Sequence, residues 1–101
     1  MERQAAAFKA LGHPARLRMV RALGGGEQCV CALRDVVGLD MSTVSRHLGV
    51  LRSAGIVEGE KRGTWMYYRL RLPCVIGFLQ CLELQLSPDS ERGGDHAGLD
   101  G

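Results

Sequence analysis

The chain has 101 residues, 46% of them hydrophobic and 24% charged, which is the balance of one ordinary globular domain. No apolar run approaches the ~20 residues needed to span a bilayer, and no basic-then-apolar start marks the chain for export. The net charge of +2 does not by itself announce a nucleic-acid partner, and a domain this small buries only a modest core unless a second copy shares it.

In chain order, Ala6, Ala7, Ala10 and Leu11 recur at helical spacing and predict a first short helix over residues 2–11. Gly12-His13-Pro14 stops it, and Pro14 suits the first position of a second helix, where its missing N–H costs nothing. That helix is predicted to reach about Leu23, with Leu17, Val20 and Leu23 inward, before Gly24-Gly25-Gly26. A third helix is expected over 30–37, carrying Val30, Leu33, Val36 and Val37 and ended by Gly38. Leu39 reads as a buried turn residue, and Asp40 as the N-cap of a fourth helix with Val44, Leu48 and Leu51 on one face.

Beyond Gly55 the helical period gives way to short β-type runs, Ile56-Val57-Glu58 and Trp65–Leu70, around the polar tip Gly59–Gly63. Pro73 opens a last helix to about Leu86. Its apolar stripe of Val75, Phe78, Leu79, Leu82 and Leu86 is too wide for one small core and predicts a homodimer. The expected architecture is mainly α with a small β-hairpin wing, in the order α-α-α-α-β-β-α, over residues 1–86. Residues 87–101, acidic and poor in large apolar groups, read as a disordered tail.

Two helices joined at Val37–Asp40 and followed by a basic hairpin make a winged helix-turn-helix. The fourth helix gathers Ser42, Thr43, Ser45, Arg46 and His47 in its first two turns. These donors suit phosphates and base edges when a helix N-terminus enters the major groove. Lys61 and Arg62 at the wing fit phosphate contacts, so double-stranded DNA is the expected partner.

Three runs, Leu39–Leu48, Leu51–Val57 and Gly63–Leu70, together with Leu11-Gly12-His13-Pro14-Ala15-Arg16, resemble the signature of ArsR/SmtB repressors. The resemblance covers about residues 5–86. It implies a dimeric, non-enzymatic repressor of an operator, joined through its first and last helices and derepressed by an effector. Asp40-Met41 stands where a Ser-Gln pair is more usual.

Cys29-Val30-Cys31 resembles the Cys-Val-Cys of the arsenic-responsive branch, which implies trivalent arsenic or antimony as effector. Chemistry bears separately on the pair. Four cysteines in a chain read as cytoplasmic are expected to be reduced, and thiolates suit soft ions. Side chains at i and i+2 diverge on a helix but share a side of an extended segment. One ion held by both sulfurs therefore requires a non-helical start to the third helix.

The branch often carries a third Cys where Arg34 stands. Cys74 and Cys81 are the remaining sulfurs, seven residues and roughly 10 Å apart along the last helix, so at most one could join the pair. Cys74 is held as the candidate third donor, from either subunit. Cys81 is read as interface packing, and a two-thiol site stays open. The alternative of the same fold is a repressor sensing thiol oxidation or cadmium and lead. No phosphate-cradling loop and no nucleophile with a partnered base is visible.

Overall fold

The computed structural model describes residues 1–87. Apart from Ser87, the expected tail lies outside the described residues. The elements are α1 (Glu2–Leu11), α2 (Pro14–Leu23), β1 (Gln28–Cys29), α3 (Val30–Val37), α4 (Met41–Ser53), β2 (Val57–Arg62), β3 (Trp65–Leu70) and α5 (Cys74–Leu86). Among the described residues no helix is long and apolar enough to cross a membrane.

Local chemistry sets the boundaries. Pro14 opens α2 while the His13 ring Nδ1 accepts the Ala15 N–H at 3.0 Å. Gly38 ends α3 in the left-handed conformation, φ 69°, and its N–H reaches the Arg34 carbonyl at 2.8 Å. A side chain with a Cβ would be strained there, and this turn sets the angle between α3 and α4. Asp40 caps α4, accepting the Thr43 N–H at 3.2 Å.

One core unites the elements. Met19 and Val20 of α2, Leu33 of α3, Val44, Leu48 and Leu51 of α4, and Ile56 are fully buried. On α4, Val44, Leu48 and Leu51 fall at i, i+4 and i+7, which is the geometry of an inward stripe. Leu39 departs from expectation, being 36% exposed, and Val36 is 49% exposed. Val30, Leu33 and Val37 already complete the inward face of the short α3, so Val36 is turned to solvent.

The wing is a three-stranded antiparallel sheet in the order β1-β3-β2, one strand more than the sequence suggested. β2 pairs with β3 from Val57↔Leu70 to Arg62↔Trp65, and β1 adds Gln28↔Tyr68 and Cys29↔Tyr67 on the far edge. Gly59 lies opposite Tyr68, where a Cβ would come within 2.9 Å of the ring. On α5 only Val75 is buried; Phe78, Leu82, Leu84 and Leu86 stand exposed, and Phe78 meets Phe8 of α1 edge-on at 5.7 Å.

Candidate DNA interface and thiol pair

The outer face of α4 carries Ser42, Ser45 and Arg46, all exposed, with Thr43 half-buried beside them. The hydroxyls of Ser42 and Thr43 both donate to the Asp40 carboxylate. These bonds hold the Asp40 carboxyl well below the usual range, with the Ser42 hydroxyl the largest cause, so a charged cap sits at the positive end of the helix. The departure at Asp40 thus fixes two of the groups expected to meet DNA.

His47 corrects the sequence reading. It is buried rather than presented, its ring 4.4 Å from that of His13, with Arg16 Nη1 donating to its Nδ1 at 3.1 Å. Arg16 is held in turn by the Ala10 carbonyl. The signal was present in the sequence, because His47 falls three residues after Val44 and one before Leu48, on the apolar stripe. Burial, followed by the charges of His13, Arg16 and Arg46, pushes its pKa down and keeps the imidazole neutral. His47 positions α4 against α2.

The wing also differs from a simple basic tip. Arg62 grips Glu27 with two nitrogens at 2.7 Å each, adds Glu60 at 3.0 Å, and lies over the Tyr67 ring at 4.8 Å. These carboxylates raise its pKa, Glu27 most. Arg69 is shared among Glu27, Glu58 and Glu60. Lys61 alone at the tip has no carboxylate partner among the described residues. Sequence reasoning missed the three glutamates, although Glu58, Glu60 and Arg62 alternate with period two and so share one face of β2.

The thiol pair has the predicted backbone. Cys29 is extended, φ −68° and ψ 148°, at the N-cap of α3, and Cys31 lies in the first turn. The two Sγ atoms are 2.8 Å apart. The two thiols share this contact, and the amides of Cys31 and Ala32 face the Cys29 sulfur, so the Cys29 pKa falls; the contact with Cys29 and burial raise that of Cys31. Of the two, Cys29 therefore gives up its proton more readily. Cys74 lies at the start of α5, exposed, between α1 and α5 beside Ala7, Phe8 and Phe78. Among the described residues no three His, Cys, Asp or Glu groups come together to hold a metal ion.

A capped helix presenting small donors and Arg46, backed by the α3–α4 turn and flanked by a β-wing, defines a winged helix-turn-helix DNA-binding domain. Residues 13–59 match the model of the bacterial regulatory proteins of the arsR family. The chain is 44% identical to the arsenic resistance transcriptional regulator ArsR1 of Pseudomonas putida, over 84% of this chain and 73% of that protein. The transcriptional repressor BigR of Xylella fastidiosa superposes with a TM-score of 0.75 at 35% identity, covering 81% and 84% of the two chains. A homodimeric winged helix-turn-helix domain of Mycobacterium bovis, described as a possible ArsR-family regulator, gives 0.70 at 31% identity and 83% of each chain. The chain belongs to the ArsR family and is a DNA-binding transcriptional regulator, not an enzyme.

Proposed function

We propose that the protein is a homodimeric cytoplasmic repressor that leaves its operator when Cys29 and Cys31 capture trivalent arsenic or antimony. The observation that carries this reading is the sulfur pair, 2.8 Å apart at the first turn of α3. Two soft donors this close suit one soft ion. Each As–S bond forms as a thiol proton leaves with an arsenic-bound hydroxide as water, without change of oxidation state. Cys29, whose thiol loses its proton more readily, reacts first and Cys31 follows.

The pair is joined to both DNA-contacting elements. α3 packs on α4, and Cys29 pairs with Tyr67 in the wing sheet. An ion between the sulfurs fixes their separation and pulls on the α3 cap, which tilts α4 and the wing together. An effector shifts the DNA equilibrium only by its differential affinity for the two conformations, and a ~100-fold release needs about 2.7 kcal/mol of coupling. The similarity to a regulator named for arsenic resistance supports this choice of ion.

The test is operator release by arsenite, antimonite, cadmium, lead and a thiol oxidant, compared side by side. Cys29→Ser and Cys31→Ser each keep operator binding and lose the arsenite response, while Cys74→Ser keeps both. Loss of response in Cys74→Ser makes it a third donor across the dimer. Unchanged arsenite release from the Cys29→Ser, Cys31→Ser double variant overturns the reading.

A further inference from the structure

The cations among the described residues fall into two groups. Arg62 and Arg69 of the wing, Arg21 of α2 with Glu83 of α5, and Arg34 with Asp35 are all paired with carboxylates. Arg3, Lys9, Arg16, Arg18, Arg46, Arg52, Lys61 and Arg71 have no carboxylate partner among the described residues. Among these, Arg3, Lys9, Arg46 and Arg71 line one continuous groove between α1 and the C-terminal half of α4. Arg46, Gly49, Val50 and Ser53 form its α4 wall, Ala6 and Lys9 its α1 wall, and Arg3 and Arg71 flank the far end beyond Ala54 and Gly55. No Asp or Glu lines either part. Arg16 also borders the groove, but its guanidinium is spent on Ala10 and His47.

The groove begins where the outward face of α4 ends. Ser42, Ser45, Arg46, Gly49 and Ser53 recur at intervals of three and four, so they form one exposed stripe that runs from the capped end of the helix into the groove. A Cβ at Gly49 would meet nothing within 4 Å, which leaves room for a backbone to approach. On α1, Arg3 and Lys9 are six residues and roughly 9 Å apart. A DNA strand offers one phosphate per about 3.4 Å of helix axis, so the two side chains face different phosphates of one strand.

We infer that the α1–α4 groove is a second DNA contact, which receives the sugar-phosphate backbone flanking the bases that α4 faces. Charge complementarity and continuity with the α4 face select this occupant. The wing, with Arg62 and Arg69 neutralised by three glutamates, leaves Lys61 as its one unpaired cation among the described residues, whereas the groove brings four, Arg3, Lys9, Arg46 and Arg71. The inference rests on α4 lying against the operator, which Arg46→Ala tests by itself through loss of operator preference.

The experiment measures operator affinity of the full chain against salt concentration for the parent, Arg3→Gln, Lys9→Gln and the double variant. Arg3 and Lys9 are exposed and Gln keeps helix propensity, so the fold is expected to survive, which circular dichroism checks. Each substitution lowers affinity for operator and scrambled DNA alike and flattens the log–log salt slope by about one unit per protomer. Backbone protection from hydroxyl-radical cleavage, beyond the bases α4 protects, disappears in the double variant. An unchanged slope and footprint in that variant overturn the inference even if Arg46→Ala behaves as expected. Loss confined to operator DNA, with scrambled DNA unaffected, overturns it too, because a backbone contact reads no sequence.

Discussion

At the scale of single residues, the decisive facts are which proton each group holds. Cys29 and Cys31 share one hydrogen bond, and it moves them in opposite directions, Cys29 down and Cys31 up from the ordinary thiol value. The thiolate is the nucleophile, so Cys29 is alkylated ahead of Cys31 by iodoacetamide near neutral pH. Peptide mapping after partial labelling checks this, and equal labelling of the two contradicts it. His47 gives a second prediction. Burial sets its folded-state pKa below the 6.5 of a solvated histidine. Above 6.5 both states are neutral and titration contributes nothing. Below it the unfolded chain binds the proton first, so stability falls as the pH drops from 6.5 toward the folded-state value. Denaturant melts at pH 7.5 and 5.5 should show this loss, and His47→Gln, which keeps an acceptor toward Arg16, should shrink the difference.

At the scale of elements, Asp40 ties the turn to the reading face. Asp40→Ala removes the cap of α4 and releases the Ser42 and Thr43 hydroxyls together. The expected cost is about 1 kcal/mol of stability, with a larger fractional loss of operator affinity than of stability. Thermal melts and binding of the same sample separate the two, and loss of stability alone would reduce Asp40 to a cap. The elements were largely legible in the sequence, because glycine, proline and the Asp40 cap mark most of the helix boundaries. β1 was not, since two residues are too few to show a period and Gln28-Cys29 becomes a strand only by pairing with β3. The inward turn of His47 was legible in its spacing but hidden by its chemistry. The glutamate partners of Arg62 and Arg69 come from two separate segments, so only the folded sheet brings Glu27 to them. For the same reason the α1–α4 groove, assembled from helices 40 residues apart, could not be read from a linear pattern.

At the scale of the whole molecule, the protomer leaves apolar surface uncovered. Phe8, at 60% exposure, and Phe78, at 44%, meet edge-on, and Leu82 and Leu86 extend the same side of α5. A small domain buries too little to waste such groups on solvent, and a second copy is the occupant that the proposed repressor requires. Two reading helices on one dimer also explain how a modest face gains affinity, because each half-site contributes to a single binding event. Leu82→Glu places a charge on this stripe without touching Val75 or the remaining buried core. The expected result is a folded monomer by light scattering at micromolar concentration. Its operator affinity should fall far more than that of the parent on an isolated half-site, which a single protomer already fills. Cys29 and Cys31 lie outside this surface, so arsenite still consumes both thiols in the monomer. A Leu82→Glu, Phe78→Glu double variant that remains dimeric with an intact fold would place the interface elsewhere than on α5.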